Sequence, residues 1–347
     1  MRKLALTMTC TTCVFSAFGV FARWLQNMTA FEENGLYIPG SLWGIVLTLL
    51  YIAGAAVFFG FTRYYKKNLS LACAPDPGVA FAGSGLLHKL IYLAVALIMA
   101  AGSVMLLITA GDAEAPLGMD FSGLLRILAL LGLLAAGGFL GLAGGANGSE
   151  APDGSPKQAG FCLASTLPIA LCCFWLIVSY RQDAVTSVVW SYAPEILAIS
   201  CSLLAFYYVA GHAYGRARPF ATIFFCSLGA FLCFVTLPDE RLIAQQIMFV
   251  GMAGMQLFLS WMLISGLRRR EEILSRYPNA PATEDLDDEV PPPRPEDEFE
   301  PMGPGSEEGA GQLRGAARGV HRPRHGGDEG RGRETKPLTA HIKLGYN

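Results

Sequence analysis

The chain predicts an all-α, polytopic membrane bundle of about eight transmembrane helices with a disordered C-terminal tail. Three features point there: long apolar stretches, intervening loops whose Lys and Arg content alternates, and a polar end rich in Pro, Gly and Arg. A bilayer core is about 30 Å thick, and about 20 apolar residues rising 1.5 Å each will cross it. In hydrocarbon every backbone N–H and C=O must find a partner within the protein, so such stretches are expected as helices.

The first span is read as Leu4–Leu25, behind Arg2 and Lys3. Val20-Phe21-Ala22 fits the small-residue cleavage pattern of a secretory signal, but the apolar run continues through Trp24 and Leu25, and a retained helix is expected. The connection that follows carries Asn34-Gly35, a dipeptide suited to tight hairpin turns, and predicts a short cap. The second span is Ser41–Phe61, after which Pro75-Asp76-Pro77-Gly78 marks a turn in the longest loop. Leu87–Ala110 and Phe121–Gly145 are the third and fourth spans. The Gly-, Ser- and Pro-containing stretch from Ala146 to Gly160 reads as a linker to the fifth, Phe161–Tyr180, in which Pro168 predicts a kink. The last three spans are Pro194–Tyr214, Phe220–Leu237 and Leu242–Leu267. Their connections, Gly215–Pro219 and Pro238–Arg241, are short enough to demand antiparallel neighbours, with Pro194 and Pro219 expected in first helical turns.

Beyond residues 1–276 the character changes. Thr283 to Gly309 is acidic and Pro-rich, with Pro291-Pro292-Pro293-Arg294-Pro295 suited to polyproline II, and Arg314 to Lys343 is rich in Gly and Arg. So few apolar residues cannot build a core, and residues 277–347 are expected to be disordered.

Charge orients the bundle. Basic residues accumulate on the cytoplasmic side. One set of connections and ends carries Arg2, Lys3, Arg63, Lys66, Lys67, Lys89, Lys157, Arg216, Arg218, Arg268, Arg269, Arg270 and Arg276, whereas the other carries only Arg23, Arg181 and Arg241. The basic set includes both termini, which places both in the cytoplasm and requires an even number of crossings.

Composition excludes several classes. With 52% hydrophobic residues the chain is richer than an ordinary soluble domain. No basic stripe with interleaved aromatics supports nucleic-acid binding. Eight of the cysteines, Cys10, Cys13, Cys162, Cys172, Cys173, Cys201, Cys226 and Cys233, fall inside apolar spans and Cys73 in a basic loop, so they read as small apolar packing residues and not as a disulfide framework. Cys10-Thr11-Thr12-Cys13 has redox spacing but an apolar setting. His88 and His212 stand at span ends, a poor arrangement for a haem pair. Zinc-helix, nucleophile-elbow and phosphate-loop motifs are lacking. No cofactor, metal or catalytic residue is predicted, and an enzyme is the least supported class.

The candidate sites are few. Gly137, Gly141 and Gly145 recur every four residues, with Gly138 and Gly144 alongside, a stripe that lets helix backbones approach closely within the chain or, alternatively, across a homodimer. Arg126 is read as the one charged residue well inside a span, about 8 Å from its end, expected to snorkel toward Asp120 or Asp112 or to contact an anion. Gln256 sits near the middle of the eighth span with Gln245 and Ser260 on its face, lining either a polar path or a hydrogen bond to a neighbouring helix. Glu195, His88 and His212 fall at span ends by these boundaries, so no titratable group suited to proton coupling lies deep in the membrane.

The segment Phe18-Gly19-Val20-Phe21-Ala22-Arg23-Trp24-Leu25-Gln26-Asn27, with Ala30-Phe31-Glu32, Gly35-Leu36 and Pro39-Gly40, resembles a set of bacterial multi-pass membrane proteins. The resemblance covers the first two spans and implies a bacterial plasma-membrane setting, with no activity, ligand or site residue attached. The expected partners are the lipid bilayer and either a second copy or another membrane protein. A non-enzymatic sensor or scaffold using its cytoplasmic tail is the first functional expectation, and a permease for a small solute is the alternative.

Overall fold

A computed structural model describes residues 2–31, 37–38, 40–70, 81, 86–111, 122–145, 156–183, 189–214, 216–266 and 268–269. The tail at 277–347, the Pro75–Gly78 turn, Cys73, Asp112 and Asp120 lie outside the described residues.

The described chain is a helical, multi-pass membrane bundle. Its helices are α1 (Arg2–Thr29), α2 (Leu42–Asn68), α3 (Leu86–Thr109), α4 (Ser122–Gly145), α5 (Pro156–Asp183), α6 (Val189–Ala213), α7 (Pro219–Val235) and α8 (Ile243–Gly266). Seven are long and apolar enough to cross a bilayer, whereas α7 has 17 residues and is the short one. Two-residue strands, Leu69–Ser70 and Arg268–Arg269, pair antiparallel and tie the end of α2 to the segment after α8.

Helices α3 to α8 close a ring in which each packs on its sequence neighbour and α8 returns to α3. Helix α1 lies on α7 and α8, and α2 lies on α1 and α7. In hydrocarbon there is no hydrophobic drive between helices, so close packing must hold them. Glycines supply it where α3, α4 and α8 meet. A Cβ at Gly102 would stand 3.0 Å from the Ala244 carbonyl oxygen, one at Gly251 would stand 3.2 Å from Met99 Cα, and one at Gly132 would collide with the Ser103 hydroxyl. Aromatic rings fill the seam of α1, α2 and α7, where Phe15, Phe58 and Phe231 pack with centroids 5.8, 6.0 and 6.3 Å apart. Helix α8 is buried over most of its length, including Met248, Met252, Met255, Leu259 and Leu263.

Some boundaries move. Helix α1 continues past Leu25 to Thr29, because Arg23, Gln26 and Asn27 lie on one face and find polar partners there. Helix α6 begins at Val189, so Pro194 is inside it and not in its first turn. Pro219 does occupy the first turn of α7, and Pro168 lies within α5. Phe31 and Tyr37 pair in an antiparallel bridge, with their rings edge to face at 5.8 Å, and the Asn34-Gly35 turn expected between them lies outside the described residues.

Candidate functional site

Four charged side chains are buried at the end of the bundle that carries the α7–α8 turn. Arg23 is 1% exposed, and Glu195 and Asp239 are each 6% exposed. Arg241 is almost as deeply enclosed, with 8% of its side chain exposed. An isolated charge in such a place would cost many kcal/mol, so each must be paired and hydrogen-bonded.

The geometry meets that demand. Arg23 Nε donates to Asp239 Oδ1 at 2.6 Å, its Nη1 to Gln26 Oε1 at 2.7 Å, and its Nη2 to the Ser191 carbonyl at 3.0 Å. Asn27 Nδ2 donates to the Pro238 carbonyl at 3.1 Å and to Asp239 Oδ1 at 3.2 Å. Arg241 Nη2 bridges the two carboxylates, 2.9 Å from Asp239 Oδ2 and 3.1 Å from Glu195 Oε2. Glu195 Oε1 in turn accepts from Ser179 Oγ at 2.7 Å and Trp175 Nε1 at 3.2 Å. Gln246 Nε2 reaches the Asp239 carbonyl at 3.0 Å, and Arg241 lies over the Phe249 ring at 5.6 Å, against which Trp175 packs at 4.5 Å. Among the described residues the cluster holds two cations and two carboxylates, and it binds α1, α5, α6, the α7–α8 turn and α8 together. The acceptors are used more fully than the donors: Gln26 Nε2, Arg241 Nη1 and Tyr51 Oη are buried with no hydrogen-bond partner.

This cluster corrects the sequence reading in one place. Arg23 and Arg241 are buried ion-pair partners and not loop charges. Arg126 is exposed on α4, with its Nη2 3.8 Å from where a Gly111 Cβ would stand, and Asp112 and Asp120, toward which it is expected to snorkel, lie outside the described residues. The clue that could have found the cluster is the i, i+3, i+4 spacing of Arg23, Gln26 and Asn27, which puts three polar groups on one stripe of an apolar helix.

The second feature is Gln256, which is fully buried, and neither Nε2 nor Oε1 of its amide has a hydrogen-bond partner. It faces α7 and α6. A Cβ at Gly229 would stand 2.5 Å from Gln256 Oε1, and 3.4 Å from the Cys201 carbonyl carbon. The glycine therefore makes the niche the amide occupies. Ser260 is also buried, one turn farther on, and its hydroxyl lies 3.4 Å from that of Ser227 on α7. Gln245 is buried on the same helix nearer the charge cluster. Cys233 Sγ and Ser202 Oγ lie 3.2 Å apart between α7 and α6.

The glycine stripe divides. Gly138 and Gly141 face α5, where a Cβ would stand 2.7 Å from the Ala164 carbonyl oxygen and 2.6 Å from Ala164 Cβ respectively. Gly137 faces out of the bundle with nothing within 4 Å, and Gly145 ends α4. His88 packs near Phe258, and His212 pairs with Thr222 Oγ1 at 3.2 Å. Cys10 and Cys13 are exposed on α1, and the eight cysteines among the described residues are free. Among the described residues no three His, Cys, Asp or Glu side chains converge as a metal site. Compared with protein-family models, curated proteins and solved structures, the chain matches none.

Proposed function

We propose that this chain is a permease for a small uncharged polar solute, embedded in a bacterial plasma membrane with both termini cytoplasmic. The observation that carries the reading is the unbonded amide of Gln256 in the niche opposite Gly229. A buried amide normally earns its place by bonding a neighbouring helix, and each unsatisfied polar group costs about 1–3 kcal/mol. Gln256 makes no such bond, so its packing role is the weaker explanation. A solute that presents a donor and an acceptor would satisfy both ends of the amide in passing. Gly229 and the Cys201 backbone border the niche and the Ser227–Ser260 hydroxyl pair lies one helical turn away, all of them uncharged, which suits a neutral permeant and movement down its own gradient.

Stopped-flow shrinkage of proteoliposomes under urea or glycerol gradients tests this. The wild-type protein should accelerate solute entry over empty vesicles, and Gln256→Leu, which keeps the volume and removes the amide, should abolish most of the gain while melting no lower than the parent. Entry no faster than in empty vesicles for both solutes, with correctly folded protein, defeats the permease reading. That outcome would favour the second reading, a sensor or scaffold, which the burial of α8 over most of its length supports.

The basic asymmetry of the connections supports the orientation. Reporter fusions after Pro75, Ser155 and Arg276 should read as cytoplasmic, and fusions after Asn34, Glu114 and Asp183 as external. One reversed fusion would break the even alternation on which the orientation depends.

A further inference from the structure

We infer that the Arg23–Asp239–Arg241–Glu195 network is a gate closing the external end of the Gln256 pathway; the inference rests on the permease reading. Gln256 is flanked by α6 and α7, and the network ties α6 through Glu195 and α8 through Gln246 to the α7–α8 turn. Gln246 and Gln256 stand on one helix about 15 Å apart along its axis, so the network lies at one end of the pathway and Gln256 deeper within it. A solute entering from that end requires these helix ends to part. The bonds that hold them are the ones Arg241 makes to both carboxylates and Arg23 makes to Asp239.

A second observation separates a gate from a rivet. A purely structural cluster would be expected to satisfy its buried donors, yet Gln26 Nε2, Tyr51 Oη and Arg241 Nη1 have no partner in the closed arrangement. Buried donors without acceptors penalise the closed form, and water admitted on opening would satisfy all three. Opening thus exchanges ion pairs for hydration of the pairs and of the three idle donors together. The two arrangements are thereby brought closer in free energy, as a switching element requires.

Native thiols report the motion. On α7, Cys233 lies one turn from Gly229 toward the network and Cys226 about one turn the other way, and both are fully buried. Full-length protein in proteoliposomes is treated from outside with a small cationic methanethiosulfonate, and each cysteine's labelling rate is read by peptide mass spectrometry. Asp239→Asn and the milder Glu195→Gln should each raise the Cys233 rate about tenfold or more, the scale expected when a charge-assisted hydrogen bond is withdrawn from the closed form. Cys226 should stay at its parental rate. Should Asp239→Asn fail to fold, Glu195→Gln decides alone, because it keeps an acceptor for Ser179 and Trp175. An unchanged Cys233 rate in folded Glu195→Gln overturns the gate, and so does Cys226 rising in step with Cys233, which is general loosening. The permease reading is judged separately by wild-type urea and glycerol entry. A selective Cys233 response without solute entry would defeat that reading while leaving the opening motion established.

Discussion

Asp239→Leu should be among the most damaging single substitutions in the bundle, lowering stability by about 3–5 kcal/mol, the range for breaking a buried charge pair from one side. Asp239 receives Arg23, Asn27 and Arg241 on its two carboxylate oxygens. Its loss takes from both arginines the carboxylate they share, which is one of the two buried carboxylates that face them among the described residues. The cost arises from the guanidinium groups left behind more than from the lost attraction. The double variant Arg23→Met with Asp239→Leu should therefore be markedly more stable than Asp239→Leu alone, since it removes one of those guanidinium groups. Thermal melting in detergent measures both. A loss under about 1 kcal/mol in the single variant would place the cluster among exposed ion pairs, whose worth is small.

That pairing was out of reach of the apolar pattern. Hydropathy reads one segment at a time, and it located the eight helices because each must present an apolar surface to lipid along its own length. Arg23 and Asp239 are 216 positions apart, and only the meeting of α1 with the α7–α8 turn makes them neighbours. Read singly, Arg23 and Arg241 fall at the polar ends of apolar runs and look like loop charges. The same logic ended the first span at Leu25, where apolarity stops, although the helix continues to Thr29 on a polar face that is paired elsewhere. Gln256 and Ser260 were legible because an amide amid apolar residues is conspicuous. The absence of any bond to that amide, and the glycine on α7 that accommodates it, depend on the packing of other helices.

Neighbouring glycines on α4 should respond in opposite ways to the same substitution. Gly138→Leu is expected to cost about 3 kcal/mol or more, at or above the usual upper range for overpacking, and Gly137→Leu to be nearly neutral. Both replace a glycine by a good helix former at adjacent positions, so differences in intrinsic propensity cancel. What differs is the neighbour. A Cβ at 138 would stand 2.7 Å from the backbone oxygen of Ala164 and 3.2 Å from Leu167 Cβ, whereas one at 137 meets nothing within 4 Å. The Ala164 oxygen cannot easily withdraw. Pro168, four residues on, has no N–H to give it, so this carbonyl is freed from the helical ladder and turned to account at the α4–α5 seam, where close approach to a glycine backbone is the contact lipid-immersed helices favour. A flexible side chain in that place would yield; a backbone carbonyl moves only if α5 moves. Gly141→Leu should follow Gly138→Leu in kind, because its Cβ would stand 2.6 Å from Ala164 Cβ. Melting temperatures of the three variants in one detergent decide the matter: equal tolerance at 137 and 138 would mean that α4 and α5 are not held backbone to backbone, and a loss at 137 as large as at 138 would mean that the face read here as lipid-exposed is covered by another chain.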